Sequence, residues 1–190
     1  MLLQLYIKII KLSEKKYAPI VLSMVAFWES IIFPLPPDII LIPMSLAKRH
    51  KALFFAGLAT FFSVAGGIVG YILGYLFWNE IGKPLIHSLG YSDAYFSLEL
   101  LYQDYGILIV LIGALTPFPF KIIALLSGVM GYPLTTFLVA ATFSRGLRFF
   151  TIAGIIFLWG NQIDRFIKDH LGSLFIIVTI ILIGAYLYFK

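Results

Sequence analysis

The stretch FWESIIFPLPPDIILIP, residues Phe27–Pro43, carries two carboxylates, Glu29 and Asp38, inside an otherwise apolar run. A charged side chain in hydrocarbon costs on the order of 3 kcal/mol or more, so an acid at such a position indicates a function. Three prolines separate the two acids: Pro34, Pro36 and Pro37. Because proline has no amide donor and blocks helix continuation, the helix must break between the acids. Broken backbone at membrane depth is tolerated only where protein or a water-filled cavity surrounds it. The stretch therefore predicts an intramembrane site at a helix break.

The composition is that of a membrane protein. Of the 190 residues, 61% are hydrophobic and 12% are charged, and the mean hydropathy is +1.00. These values exclude the ordinary soluble class and predict one integral membrane domain. The chain has no cysteine and only three histidines without ligand spacing, so we expect no metal site and no cofactor. The net charge of +5 comes from cations that border apolar segments, which a positive-inside bias explains better than nucleic-acid binding does.

Hydropathy and segment length divide the chain into seven parts. In order, they are an amphipathic helix over 1–16, a re-entrant hairpin over 17–47, a transmembrane helix over 52–78, an external linker over 79–104, a second re-entrant hairpin over 105–130, and transmembrane helices over 134–160 and 171–188. The second limb of each hairpin has about ten residues, roughly half the length that a spanning helix needs. Lysines lie at both ends of the first hairpin, so we expect the N-terminus to be cytoplasmic and a loop after residue 160 to return there.

A shift of 82 residues lays one half of the chain over the other and predicts an internal repeat. The matching residues are Pro37 with Pro119, Ser45 with Ser127, and Ala59-Thr60-Phe61 with Ala141-Thr142-Phe143. Pro119 belongs with Pro117 to a second proline tip, TPFPFK. Inverted repeats with broken helices at the midplane are a transporter architecture. The predicted fold class is therefore an all-α integral membrane protein, an inverted repeat of re-entrant hairpin plus transmembrane helix.

Glycines recur every four residues along the first transmembrane helix, at Gly66, Gly70 and Gly74. Small residues at this spacing let a second backbone approach closely. We interpret them as helix-packing positions.

Five ionisable residues fall at the expected membrane depth: Glu29, Asp38, Lys121, Arg145 and Arg148. One interpretation is structural, with the charges pairing to lock the hairpins together, since breaking a buried pair costs about 3–5 kcal/mol. The other is a site for an anion, because cations outnumber acids three to two. The planar fork of arginine suits phosphate oxygens. A carboxylate that gains or loses a cationic neighbour can change its protonation, which is the physics of proton coupling.

The segment with Glu29 followed by FPLPPD resembles the signature of the DedA family, which shares its domain with the SNARE-associated Golgi (VTT) proteins. The glycine-tyrosine helix and the end of the second hairpin are also similar to that family, at Gly66, Gly70-Tyr71, Gly74-Tyr75, Ser127-Gly128, Met130 and Phe137. Typical members carry arginine, proline and arginine at the second tip, whereas this chain has Pro119 and Lys121. Its SRGLRFF stretch instead places Arg145 and Arg148 on the following helix, which resembles the short YqaA-like branch.

The resemblance implies a protein of the bacterial inner membrane that moves phospholipids or polyprenyl phosphates between leaflets, coupled to the proton gradient. In that interpretation Glu29 and Asp38 handle protons and gating, while Lys121, Arg145 and Arg148 bind the phosphate headgroup. The expected partners are phosphate-bearing lipids and protons, and a homo-oligomer is left open.

Three alternatives stand beside this interpretation. An enzyme acting on lipid phosphate lacks a flanked histidine nucleophile and an aspartate cluster in the sequence, so we expect no catalysis. An ion or proton exchanger would use intramembrane acids equally well. A structural protein would use the buried charges only to hold the hairpins.

Overall fold

The computed structural model of the chain describes residues 4, 10–78, 82, 84, 88, 92–116 and 118–188, with the backbone alone for 92, 94, 168 and 170–188. Over this part of the chain the secondary structure is helical, without a strand. Three helices are long and apolar enough to cross a membrane: Arg49–Phe77, Tyr95–Leu115 and Leu134–Ile167. The all-α membrane class predicted from the sequence is thereby confirmed. Half of the predicted amphipathic helix over 1–16, most of the first half of the predicted linker and Pro117 lie outside the described residues.

Within the described part of the chain, six helices carry the fold. They are α1 (Ala18–Glu29), α2 (Asp38–Ala47), α3 (Ala52–Phe77), α4 (Ser92–Leu115), α5 (Phe120–Val129) and α6 (Leu134–Tyr188), with a 3₁₀ turn at Arg49–Lys51. The first three and the last three repeat the order of two helices around a proline-containing break, then one long helix.

Helices α1 and α2 are the two limbs of the first hairpin. With 12 and 10 residues, neither reaches the roughly 20 residues that a spanning helix needs. A proline opens α1 in its first turn, where its missing amide costs nothing. Asp38 begins α2, and a carboxylate there is stabilised by the helix dipole. The proline break thus places one acid at the end of α1 and the other at the start of α2.

Helix α3 is central, because it packs against α1, α5 and α6. The close approaches occur at its glycines. A Cβ on Gly66 would overlap the carbonyl of Phe27 in α1, and one on Gly74 would overlap the carbonyl of Leu125 in α5. Gly70 lies between them, facing Ser30 and Ala124. Both short helices therefore lie with their backbones directly on α3.

The second half differs from the prediction at its beginning. Residues 92–104, placed by the sequence in an external linker, form the first half of α4. No glycine or proline interrupts the chain from Ser92 to Tyr105. Tyr102 is only 4% exposed, so this part of the helix packs against the rest of the protein through its Tyr102 side. The first limb of the second predicted hairpin is consequently long and apolar enough to cross a membrane.

Helix α6 also runs further than predicted. The loop expected after residue 160 is helical, and the irregularity is a kink at Trp159, whose φ and ψ are −119° and 17°. Arg49, at the turn before α3, donates to the carbonyls of Ile156, Phe157 and Leu158 at 3.3, 2.8 and 3.2 Å. A kink releases carbonyls from their helical amide partners. Arg49 satisfies them, so the chain bends without ending the helix.

Two apolar clusters form the core. The first contains Ala18, Leu22, Leu41, Met44, Ala52, Phe55, Ala56, Ala59, Phe149 and Ala153. The second contains Tyr71, Val110, Ala114, Phe120, Ile123, Ala124, Phe137, Ala140 and Ala141. The guanidinium of Arg145 stacks on a phenylalanine from each cluster, 4.6 Å from the Phe149 ring centroid and 5.0 Å from that of Phe120. A layer of charge therefore lies where the two clusters meet.

Candidate functional site

The structure brings the five ionisable residues of the sequence prediction to one region. The acids come from the two ends of the first proline break, at the last residue of α1 and the first of α2. The arginines lie three residues apart on α6 and therefore on neighbouring positions of one helix face. Lys121 is the second residue of α5, directly after the second proline tip. Three chain segments far apart in sequence thus meet here.

Glu29 and Arg145 form the enclosed ion pair of the site. Their Oε2 and Nη2 atoms are 3.0 Å apart, and the side chains are 11% and 3% exposed. The Nε of Arg145 also donates to Ser63 Oγ at 2.8 Å, and Ser63 shares a hydrogen bond of 2.9 Å with Ser30. Ser30 in turn lies within bonding distance, 3.1 Å, of the Ala26 carbonyl. Arg145 is thus fixed by a carboxylate, a hydroxyl chain and two aromatic faces, an arrangement that holds a charge in place.

Asp38 and Arg148 form the second ion pair, and it is more accessible. Arg148 Nη2 donates to Asp38 Oδ2 at 2.5 Å, and the side chains are 19% and 16% exposed. Arg148 also donates to the carbonyl of Thr116 at 2.6 Å, which ties the second proline tip to the first. The other carboxylate oxygen, Asp38 Oδ1, is buried and has no hydrogen-bond partner among the described residues. This pair therefore has a buried oxygen with unused bonding capacity and is more exposed than the Glu29–Arg145 pair.

Lys121 carries the remaining charge. Its ammonium donates to the carbonyl of Ile32 at 3.2 Å, in the break between α1 and α2. No carboxylate of the described residues pairs with it. The local sum of two acids and three cations is one positive charge, and Lys121 is the cation whose charge is not neutralised.

A cavity of about 180 Å³ lies at the meeting point of the two proline tips. Its lining combines both tips with the charged residues: Glu29, Phe33, Pro34, Pro36, Pro37, Phe118, Pro119, Lys121, Arg145 and Arg148. The prolines leave backbone carbonyls here without helical partners, and cations from the second half bond them. What the arrangement offers chemically is a small chamber lined by two accessible cations, Lys121 and Arg148, with the carboxylate of Asp38 paired to Arg148 beside it. Among the described residues no group of histidine, aspartate and glutamate could hold a metal ion.

Several participants were missed by sequence reasoning. Ser30 and Ser63 complete the environment of Arg145, yet a serine in an apolar helix gives no signal of its own. The carbonyls of Ile32 and Thr116 are backbone groups, which a sequence does not distinguish. The prolines were the one sequence feature that could have predicted these carbonyls, because unpaired carbonyls are expected wherever proline interrupts a helix.

Comparison with known proteins places the chain in a family. The VTT domain matches residues 31–158, more than half of the chain, so the chain belongs to the VTT domain family, and its resemblance to DedA proteins is confirmed. An uncharacterised protein of Haemophilus influenzae is 34% identical over 158 residues, covering 83% of this chain and 81% of that protein. An uncharacterised protein of Histophilus somni is 33% identical over 186 residues, covering 98% and 97%. No solved structure matches the chain.

Proposed function

We propose that this VTT-domain protein moves a lipid phosphate, a phospholipid or a polyprenyl phosphate, between membrane leaflets and couples that movement to protons. The observation that carries the proposal is the convergence of both proline tips and an uncompensated cation on one small cavity. Intramembrane charges facing a cavity mark substrate or proton pathways in membrane proteins. An anionic headgroup would neutralise the excess positive charge there.

The two accessible cations, Lys121 and Arg148, are the headgroup contacts in this proposal. Both line the cavity, and neither is as fully enclosed as Arg145, which is 3% exposed and bonded to Glu29 and Ser63. Arg145 would act from behind as a fixed positive charge, with Glu29 keeping it in place. The geometry thus favours different roles for the two arginines that the sequence analysis grouped together.

Asp38 is the proton carrier in this proposal. A phosphate that binds Arg148 would compete with Asp38 for the same guanidinium, because phosphate and carboxylate each present two anionic oxygens to its fork. Displaced from its cation within a site of low polarity, the carboxylate would favour its neutral form and take up one proton. When the phosphate leaves, Arg148 would recover Asp38 and the proton would be released. One proton is thereby taken up with each headgroup that enters and released with each that leaves, so proton and headgroup would move together.

The pattern of helix packing supports the inverted repeat of the two halves. Helix α1 packs on α3 as α4 packs on α6, and α5 packs on α3 as α2 packs on α6. Exchanging the two halves therefore leaves these contacts unchanged. Ser63 and Arg145, which are 82 residues apart, touch each other directly, as related residues do at a two-fold axis. Repeats of this kind place substrates at their interface, which is where the cavity lies.

We further propose that the chain resides in the bacterial cytoplasmic membrane with its N-terminus inside. Both relatives named above come from bacteria, and the lysines cluster before α1 and after α2, as the positive-inside bias requires. Since the chain has no cysteine, a cysteine introduced at Lys15 would report its side of the membrane. Labelling of intact cells by an impermeant maleimide would contradict this orientation.

The proposal is tested by flux in proteoliposomes. Fluorescent phosphatidylglycerol and undecaprenyl phosphate probes are compared with and without an imposed pH gradient, using wild type and Asp38→Asn after both are shown to be folded. We expect gradient-dependent movement of one probe by wild type and its loss in the variant. Movement of neither probe by folded wild type would overturn the proposal.

A structural role is the second candidate, because both arginines are paired in the structure. It predicts that charge variants lose stability and activity together. A folded Asp38→Asn protein that no longer moves lipid would count against it, and charge variants whose stability and flux fall together would favour it.

A further inference from the structure

An apolar groove runs along α4 on the membrane-exposed side of the molecule. Its volume is about 460 Å³, and it is lined by Tyr105, Leu108, Ile109, Ile112, Gly113, Thr116, Phe118 and Ile123. This volume falls within the roughly 300–1,000 Å³ of ligand pockets. The groove lies on a helix that is apolar enough to span a membrane, so hydrocarbon rather than water borders it.

The groove adjoins the polar cavity. Phe118 lines both of them. Thr116, which lines the groove, accepts the hydrogen bond of Arg148 on its carbonyl at 2.6 Å. A residue that lines the apolar groove is therefore hydrogen-bonded to a cation of the proposed headgroup site.

Size separates the roles of the two spaces. At about 180 Å³ the polar cavity is smaller than the roughly 300 Å³ at which ligand pockets begin, so it accommodates a headgroup but not a lipid. We propose that the α4 groove holds a hydrocarbon chain of the lipid whose phosphate occupies the cavity, with Phe118 at the boundary between chain and headgroup. This inference rests on the proposed function and assigns the part of the substrate that the charged residues do not recognise.

A related groove exists in the first half of the chain. It has about 480 Å³ and is lined by Pro19, Ile20, Ser23, Met24, Phe27, Trp28, Leu58 and Phe62. Ser23 and Phe27 are the counterparts of Tyr105 and Ile109 under the 82-residue shift. This first-half groove shares no residue with the described lining of the polar cavity. The shared lining residue Phe118 therefore favours the α4 groove as the one that receives a chain.

The test fills the groove without touching the charged residues. Ile112 is 59% exposed and lines the groove, so Ile112→Trp obstructs it from the membrane side. Ile107, on the same helix and 45% exposed, is outside the described groove lining, so Ile107→Trp is the matched control. Each variant is assayed for flux of long-chain fluorescent phosphatidylglycerol and for binding of inorganic phosphate. We expect Ile112→Trp to lower flux by roughly tenfold, the scale on which a hydrophobic pocket discriminates. Phosphate binding should be unchanged, and Ile107→Trp should match wild type.

The outcomes separate this inference from the proposed function. Equal flux in wild type and folded Ile112→Trp overturns the groove assignment and leaves the headgroup site standing. Absence of both phosphate binding and flux in wild type overturns the proposed function instead.

A second measurement tests the inference even if the Ile112→Trp variant does not fold. Because the chain has no cysteine, Ile112→Cys and Ile107→Cys carry single thiols that can be challenged with a phospholipid bearing a thiol-reactive group on one chain. We expect preferential labelling at Ile112 that excess unmodified phospholipid suppresses. Equal, unsuppressed labelling at both positions would mean ordinary surrounding lipid and would overturn the inference.

Discussion

Replacing Glu29 by glutamine should destabilise the protein more than any other neutralisation of an acid at the site. The change keeps size and shape but removes the counter-charge of Arg145, whose side chain is 3% exposed. Removing one partner of a buried pair costs about 3–5 kcal/mol, because the remaining charge stays buried without compensation. The bond to Ser63 and the two phenylalanine faces remain, so we expect the lower part of that range.

Asp38→Asn is the matched control for this prediction. It removes the same kind of charge from the same site, but its partner Arg148 is 19% exposed and keeps the carbonyl of Thr116 as an acceptor. A lost hydrogen bond between charged groups with such access costs about 1–2 kcal/mol. The expected difference between the two variants is therefore about 2 kcal/mol, a large fraction of the stability of an ordinary domain.

The free energy of unfolding is measured by denaturant titration of the purified protein in mixed micelles. The proteins compared are wild type, Glu29→Gln, Asp38→Asn, the double variant Glu29→Leu/Arg145→Met and its two single changes. The double variant removes both charges and should recover much of the loss, as apolar replacements of buried pairs do. A larger loss in Asp38→Asn than in Glu29→Gln would refute the assignment of the enclosed pair. So would a double variant whose loss equals the sum of its single changes, since coupled residues do not add.

Three further outcomes follow from the packing and the charges. Gly66→Ala should lower the unfolding free energy, because its Cβ would overlap a backbone carbonyl. Gly154→Ala, where the Cβ meets open space, should be neutral or stabilising by up to about 1 kcal/mol. Equal effects of the two changes in the same titration would contradict the close approach at Gly66. Arg49→Ala should speed hydrogen exchange of the amides after the kink, since Arg49 bonds the carbonyls there, while the exposed Lys51→Ala should not; unchanged exchange would show that the kink needs no cap. Lys121→Gln should weaken binding of inorganic phosphate by roughly tenfold, the equivalent of ~1.4 kcal/mol, as measured by calorimetry; unchanged affinity would remove Lys121 from the headgroup site.

The helix ends at the prolines could be predicted from the sequence, but the helices that extend beyond their predicted bounds could not. Prolines at 34, 36 and 37 remove amides and fix backbone angles locally, so the end of α1 and the start of α2 follow from residues near them. The helix over residues 92–104 is different, because its stretch is polar enough to be a loop and is helical in a bundle that buries Tyr102. The helix beyond Trp159 likewise depends on Arg49, more than a hundred residues away. Contacts with residues distant in sequence cannot be predicted from the residues of the segment that they stabilise.

The site was predictable as a set of charges but not as a set of pairs. Charge in an apolar segment is visible in any sequence, and it identified all five ionisable residues. Which acid meets which arginine depends on how the hairpins lie on α3 and α6, and hence on the glycine contacts. The distinction between an enclosed arginine and an accessible one decides their proposed roles. It arises from Phe120 and Phe149, which the sequence presents as ordinary core residues.

The distribution of charge between the two halves connects assembly to function. Both acids of the site, Glu29 and Asp38, belong to the first half, and its cations, Lys121, Arg145 and Arg148, belong to the second. Each half alone would carry uncompensated charge at membrane depth, which is costly, so the halves stabilise each other across the interface that the pairs bridge. An interface held by exchangeable charge is also one that an anion can enter, because a phosphate replaces a carboxylate on the same cation. In the proposed function, the enclosed pair would keep the halves together while the accessible pair opens. For this reason we expect stability to depend most on Glu29 and Arg145, and transport on Asp38, Lys121 and Arg148.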